Sequence, residues 1–226
     1  QIRIIERANA LFYVQVGTGG DGWSVIDAAN GFQLVLSETG EVSAAALGVI
    51  EDGITLLSAA VVAAFDYSAK ATVVFTPETT TLIDVAIAMK SGSSIVMTGA
   101  TLKLVPVVGN LGAGHLIGYN GDKSDISNPI PIVDMKWVGG TVDVNNQIGI
   151  NAFGIEVCEL LDMIGVKTAN TVHDPVTEGG RGFSMHPRSR SVTLDGCVAE
   201  NCDHGFDTST KSDNLISVGV TGASST

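Results

Sequence analysis

From Trp137 to Thr221 the chain repeats a short phrase: an apolar residue, a glycine or small residue, then apolar and polar positions in alternation. It stands as Trp137-Val138-Gly139-Gly140-Thr141-Val142-Asp143, as Met163-Ile164-Gly165-Val166-Lys167, as Leu194-Asp195-Gly196-Cys197-Val198 and as Ile216-Ser217-Val218-Gly219-Val220. Gly140, Gly165, Gly196 and Gly219 fall roughly 20–30 residues apart, a spacing found in solenoids. A second phrase interleaves with the first: Ala152-Phe153-Gly154-Ile155-Glu156, Arg181-Gly182-Phe183-Ser184-Met185 and His204-Gly205-Phe206-Asp207. Two phrases sharing one period predict two strands per coil.

A strand of four or five residues cannot bury its apolar face alone, but it does so when the next coil stacks on it about 4.8 Å away. The pattern therefore predicts a mainly β chain folded as a parallel β-helix, with the polar stretches 120–128 and 172–180 bulging from its turns. Glycine beside each short strand lets the backbone turn between faces. A β-sandwich of short strands is the alternative, though a sandwich has no need for the two phrases to recur in fixed order.

Ahead of the coils the pattern changes. Ile2, Ile4 and Leu11 to Val16 read as strands, followed by the glycine-rich loop Gly17 to Gly22. That loop has no following Lys-Ser or Lys-Thr, and Trp23-Ser24-Val25-Ile26 reads as strand, so it is a turn rather than a phosphate cradle. Gly31 to Leu36 alternates and ends in the turn 37–40. Residues 1–46 thus form a small β unit, near the lower limit for independent stability, that leans on the solenoid, on identical chains or on a docking partner. Residues 47–82 are a lead-in segment. Within it Ser58 to Lys70 is Ala-rich with Ser58 as N-cap, the one clear helix, placed to cover the open end of the solenoid. Ala71 to Pro77 is a strand closed by proline. Coils then fill 83–226, starting with Val85 to Met89, Ser94 to Met97 and Ala100 to Val105. Gly222 to Thr226 offer no closing cap, so the coils are expected to continue beyond residue 226.

Leu47-Gly48-Val49-Ile50-Glu51-Asp52-Gly53-Ile54-Thr55, the capping helix, Val73-Val74-Phe75-Thr76-Pro77 and Leu82-Ile83 together resemble the start of the pectate-lyase-like superfamily of right-handed parallel β-helices. They resemble in particular its bacteriophage tailspikes and tail fibres, over about Leu47 to Thr221. Leu56, Leu57 and Glu78 to Thr81 depart from that pattern. The resemblance implies a homotrimeric virion protein, docked to a phage tail, baseplate or portal-proximal protein through residues 1–46. Its β-helix would bind host surface polysaccharide, and the complete protein would cleave it if catalytic. In this reading Asp52 and Gly53 form the turn before the capping helix.

Charge and cysteines narrow the partners. Twenty-four acidic residues against 12 basic ones give a net charge of −12, which excludes a nucleic-acid backbone as partner because counterion release needs clustered cations. No apolar run approaches the ~18 residues of a membrane span, and the start lacks a basic-then-apolar signal pattern. The expectation is synthesis in the host cytoplasm without a signal peptide, no membrane insertion, and residence in the virion. Cys158, Cys197 and Cys202 are odd in number and match no zinc spacing, so they read as reduced thiols, two of them packed as small apolar groups.

Glycan-cleaving β-helices use paired carboxylates, or a base with a cation facing the substrate's carboxylate. Here the candidate catalytic residues are Glu200, Asp203, His204 and Asp207, with Arg181, His186 and Arg188 one coil earlier. The competing reading is a turn, where Asn, Asp and His are favoured for bending the backbone. His173-Asp174, Asp122 and Asp125 read as loop residues, His115 as a packed or turn histidine, and Trp23 and Trp137 as core. No cofactor motif and no metal spacing is present. A secreted polysaccharide lyase or glycoside hydrolase of the same fold is the alternative function; a surface adhesin is a third, and would open on an export signal.

Overall fold

The structure, a computed structural model of the chain, describes residues 2–4, 10–37, 40–106, 111, 114–124, 128–186 and 188–208. The phrase at 216–220, Asp125 and the end of the chain lie outside these residues.

β1 (Ile2–Ile4), β2 (Ala10–Val16), β3 (Val25–Asp27) and β4 (Phe32–Leu36) form an antiparallel sheet in the order β1-β2-β4-β3. One face of this sheet is apolar along its length. Phe12 opposite Leu36 is buried, whereas Val16 opposite Phe32 is exposed. The loop Gly17 to Gly22 is a turn tied by two carboxylates. Asp21 accepts the N–H groups of Trp23 and Val25 at 2.7 and 2.8 Å, and Asp27 accepts those of Gly19 and Gly20 at 3.1 and 3.0 Å.

The rest of the described chain runs in successive circuits. β5 (Glu41–Ser43), β6 (Asp52–Leu56) and α1 (Ser58–Tyr67) are followed by β7 (Thr72–Val74), β8 (Thr80–Ile83) and β9 (Ile87–Ala88). Then come β10 (Ser94–Val96), β11 (Thr101–Leu104) and β12 (His115–Asn120), and next β13 (Ile132–Val138), β14 (Thr141–Asp143) and β15 (Asn151–Glu156). β16 (Cys158–Ile164), β17 (Lys167–Thr171), β18 (Arg181–Met185), β19 (Arg190–Asp195), β20 (Val198–Cys202) and β21 (His204–Thr208) make two more rounds. Strands join parallel sheets in rotation: β5-β7-β10-β13-β16-β19, β6-β8-β11-β14-β17-β20 and β9-β12-β15-β18-β21. The chain is mainly β, with parallel sheets.

Each circuit therefore carries three strands, not the two that the phrases predict. The first phrase spans two strands: Gly140, Gly165 and Gly196 sit at the corner between the first and second sheets with φ of +81°, +62° and +61°. The second phrase is the strand of the third sheet. In the first round α1 occupies that third position and turns Ala60, Val61, Ala64 and Phe65 into the core. Its ends differ from the sequence expectation. Leu57, not Ser58, is the N-cap residue, because the Ser58 hydroxyl is engaged with Asp84 Oδ1 at 2.5 Å, and the helix stops at Tyr67. Asp52 makes the expected turn, accepting the N–H groups of Ile54 and Thr55 at 2.8 and 2.7 Å.

The core is built around aromatic rings. Phe153, Phe183 and Phe206 share one register position, with ring centroids 5.4 and 4.9 Å apart. Trp137 meets Phe153 edge-on at 5.3 Å, and Phe65 of α1 packs on Trp137 at 5.5 Å. Beside the second sheet a polar ladder runs from Asp143 to Asn170 at 2.8 Å and on to Asn201 at 3.5 Å. Asn170 and Asn201 have φ of +57° and +51°, a conformation that asparagine tolerates.

Cys158 and Cys197 are buried and Cys202 is partly open; all three are free thiols. Burial pushes the Cys158 thiol up to about 11, which keeps it protonated and inert at neutral pH. A thiol reagent is expected to label Cys202 in the native protein and the other two only after denaturation, a difference that mass spectrometry of digested, labelled protein reads directly. Among the described residues no helix is long and apolar enough to cross a membrane.

Candidate functional site

Because side chains alternate along a strand, the register that sends Phe153, Phe183 and Phe206 inward sends Gly118, Gly154, Ser184 and Asp207 to the outer face of the third sheet. A second row joins them there. His115 lies over Gly154, where an added Cβ would come within 2.4 Å of the imidazole, so only glycine admits the ring. Arg181 repeats the relation two strands on, with Nε 2.7 Å from Asp207 Oδ2, in a geometry that makes the contact an ion pair more than a hydrogen bond.

Two loops bound this face. After β12 the chain doubles back with Asp122 bridged to Ile130, and Lys123 reaches Glu156 at 2.6 Å. Before β18 the loop 172–180 is organised by Asp174. Its carboxylate accepts the N–H of Val176 at 2.9 Å and the hydroxyl of Thr177 at 2.8 Å, and the Val176 N–H is the main reason its pKa is lowered. From this loop His173 meets His204 with ring centroids 4.6 Å apart, and Glu178 lies 3.6 Å from Arg181. The outer face of the third sheet is thus a trough between two loops.

The residues singled out in the sequence divide accordingly. Arg181 and Asp207 are paired in the trough, and His204 lies at its edge. Asp203 is the turn between β20 and β21, and its carboxylate accepts the His173 N–H at 2.8 Å. His186 stands at the other end, its Nε2 3.3 Å from the Ser184 hydroxyl. Glu200 does not join them: it lies on the second sheet in an ion pair with Lys167. Arg188 is exposed at the corner after β18.

Asn151, Ser184, His115 and Glu156 complete the trough, and the sequence reading assigned none of them a role there. A signal was present. Leu116-Ile117-Gly118-Tyr119 has the form of Ala152-Phe153-Gly154-Ile155, and aligning the two places His115 beside Asn151, as the register does. Trp137 is core as expected, with no exposure, and Trp23 is partly buried.

On this face the Asn151 amide and the Ser184 hydroxyl are buried, while the imidazoles of His115, His173 and His186 and the Arg181 guanidinium are partly exposed and His204 is exposed. The trough's carboxylates Asp207 and Glu156 are each held by a cation, so general acid–base work by either requires that a pair first be broken. Hydrogen bonding by the imidazoles that stay partly exposed requires no such rearrangement.

No protein-family model matches this chain, and no curated protein matches it in sequence. Among solved structures it is similar to the crystal structure of a "putative glycosyl hydrolase" from Parabacteroides merdae ATCC 43184. The TM-score is 0.53 at 17% identity, over 82% of this chain and 95% of that one. It is also similar to ORF18 of Geobacillus virus E2, with a TM-score of 0.50 at 16% identity, over 71% of this chain and 36% of the viral one. What this chain shares with the hydrolase and the phage protein is the fold.

Proposed function

We propose that this chain is part of a bacteriophage tailspike or tail fibre whose three sheets close into a right-handed parallel β-helix, the hand that crossovers between parallel strands adopt. Residues 1–46 attach the spike to the particle, 47–82 lead into the solenoid under the capping helix, and 83–226 form coils that bind a host surface polysaccharide. The observation that carries this reading is the trough: a loop-flanked face of stacked parallel strands lined by imidazoles, in a fold shared with a phage protein and with a putative glycosyl hydrolase. The half-exposed apolar face of the N-terminal sheet, with Val14, Val16 and Phe32 open, supports attachment through residues 1–46.

The test is retention of bacterial capsular and lipopolysaccharide glycans on the purified protein, with the mass in solution measured by light scattering. Binding of at least one glycan by a trimer, three times 23.3 kDa, is the expected outcome; a monomer that retains none overturns the proposal. The fold shared with a putative glycosyl hydrolase supports a second reading, a secreted lyase or hydrolase. New reducing ends released from a bound glycan by a monomer would decide for it.

A further inference from the structure

The chain has four histidines, and they stand as two pairs along the trough. His115 and His186 stand edge to face with centroids 6.3 Å apart, and His173 and His204 meet at a tilt of 51° at its far side. The protonation state of His115 is legible from its neighbour. Asn151 Oδ1 accepts the N–H groups of Gly180 and Arg181 at 2.9 and 2.8 Å, which fixes the orientation of the amide. Its Nδ2 therefore faces His115 Nδ1, 3.4 Å away. An amide NH2 only donates, so Nδ1 is the acceptor and the imidazole carries its single proton on Nε2. A second proton on Nδ1 would set donor against donor, and the side chain so disturbed is the one that holds the end of the 172–180 loop.

The charges on the face are already matched. Arg181 is held by Asp207 and Glu178, and Lys123 by Glu156, while Asp203 stays exposed beside them. Among the described residues Arg188, exposed at the corner after β18, is the cation near this face with no carboxylate in an ion pair, and the whole molecule is strongly acidic, so a polyanionic chain meets net repulsion.

We infer that the trough takes an uncharged glycan segment, and that the Asn151–His115 contact makes its capture proton-sensitive. The inference rests on the glycan-binding reading above and specifies the substrate class and the regulation of that site. The groups facing His115 act on balance to lower its pKa. Burial lowers its pKa first, the neighbouring His186 and Lys123 lower it further, and Glu156 alone opposes them. A histidine whose folded value is depressed contributes stability above its unfolded value of about 6.5 and loses it as the pH falls through the folded value. Acid that carries the pH through this depressed folded value, and so to below about 6.5, is therefore the condition that breaks the contact and frees Gly180 and Arg181.

The experiment has a ligand-free and a ligand-bound arm, both on the whole chain. In the first, hydrogen exchange at the Gly180 and Arg181 amides, corrected for the intrinsic pH dependence, is followed between about pH 7.5 and about pH 5. Protection that falls on acidification, and that no longer does so in His115→Gln, is expected; protection unchanged by pH overturns the proton-sensitive contact. In the second arm, uncharged and uronate-containing capsular oligosaccharides are titrated at both pH values. Uncharged chains are expected to bind about tenfold more weakly in acid, the effect of one lost polar contact, and His115→Gln is expected to remove that difference. Preference for uronate chains, or binding to none of the panel, overturns the glycan assignment. Glycan binding that is unaffected by both His186→Ala and Asn151→Ala leaves the proposed function standing and places its site elsewhere.

Discussion

Phe153→Ala is expected to lower the free energy of unfolding by about 3–5 kcal/mol. The ring has no exposure and sits where three parts of the core converge. It stacks on Phe183 at 5.4 Å with the rings 5° from parallel, takes the edge of Trp137 at 5.3 Å and meets Tyr119 at 6.4 Å. Alanine removes the transfer energy of the ring and leaves a cavity that the neighbouring strands cannot close, because the ladders of β12 and β18 fix their spacing. Phe32→Ala supplies the comparison. Phe32 is 44% exposed on the N-terminal sheet, and its loss is expected to change stability by no more than about 0.5 kcal/mol. Urea denaturation of both variants reads the difference, and equal costs would refute a core centred on the aromatic column.

Gly140→Ala is expected to cost about 2 kcal/mol or more, from two causes that add. The residue has φ of +81°, where an L side chain is strained by about 1–2 kcal/mol. Its new Cβ would also lie 2.4 Å from Met97 Cβ and 2.7 Å from Met97 O, in the circuit beneath. Gly165 separates the causes. It occupies the same corner one circuit on with φ of +62°, but an added Cβ there meets nothing within 4 Å. Gly165→Ala is therefore expected to show the strain alone, about 1–2 kcal/mol. If the two variants melt together, the close approach of successive circuits at Gly140 does not limit the fold.

The phrase around Phe153, Phe183 and Phe206 repeats because each circuit must bury one ring against the last, and a period of that kind survives in the residues themselves. The helix near residue 60 was legible from its run of alanines, and the Asp52 turn from the pairing of a carboxylate with glycine. Errors arose where a side chain chose a distant partner. Ser58 looks like an N-cap by local rules, but Asp84 takes its hydroxyl from 26 positions away. Two strands per coil looked sufficient because one phrase hides a corner: Gly140, Gly165 and Gly196 turn the chain inside it, and a left-handed glycine is not distinguishable by composition from one in a strand.

The candidate site divides in the same way. Asp207 and Arg181 were named from their phrase, and the register pairs them. Glu200, a few residues before Asp207, falls on another sheet, because the turn at Asp203 carries the chain from the second sheet to the third. His115 lies 71 residues before His186 in the chain, and nothing local connects them.

The sequence by itself determined that the chain is mainly β, that short strands recur at a solenoid period, that Trp137 belongs to the core, and that acidic residues outnumber basic ones. Alternation and spacing are local properties, and they act before any long-range contact forms. The tertiary structure alone decided that three sheets share each circuit, that Asn151 orients His115, and that His115 pairs with His186 and His173 with His204. Each of these depends on which strand stacks on which, a relation set by packing across dozens of residues.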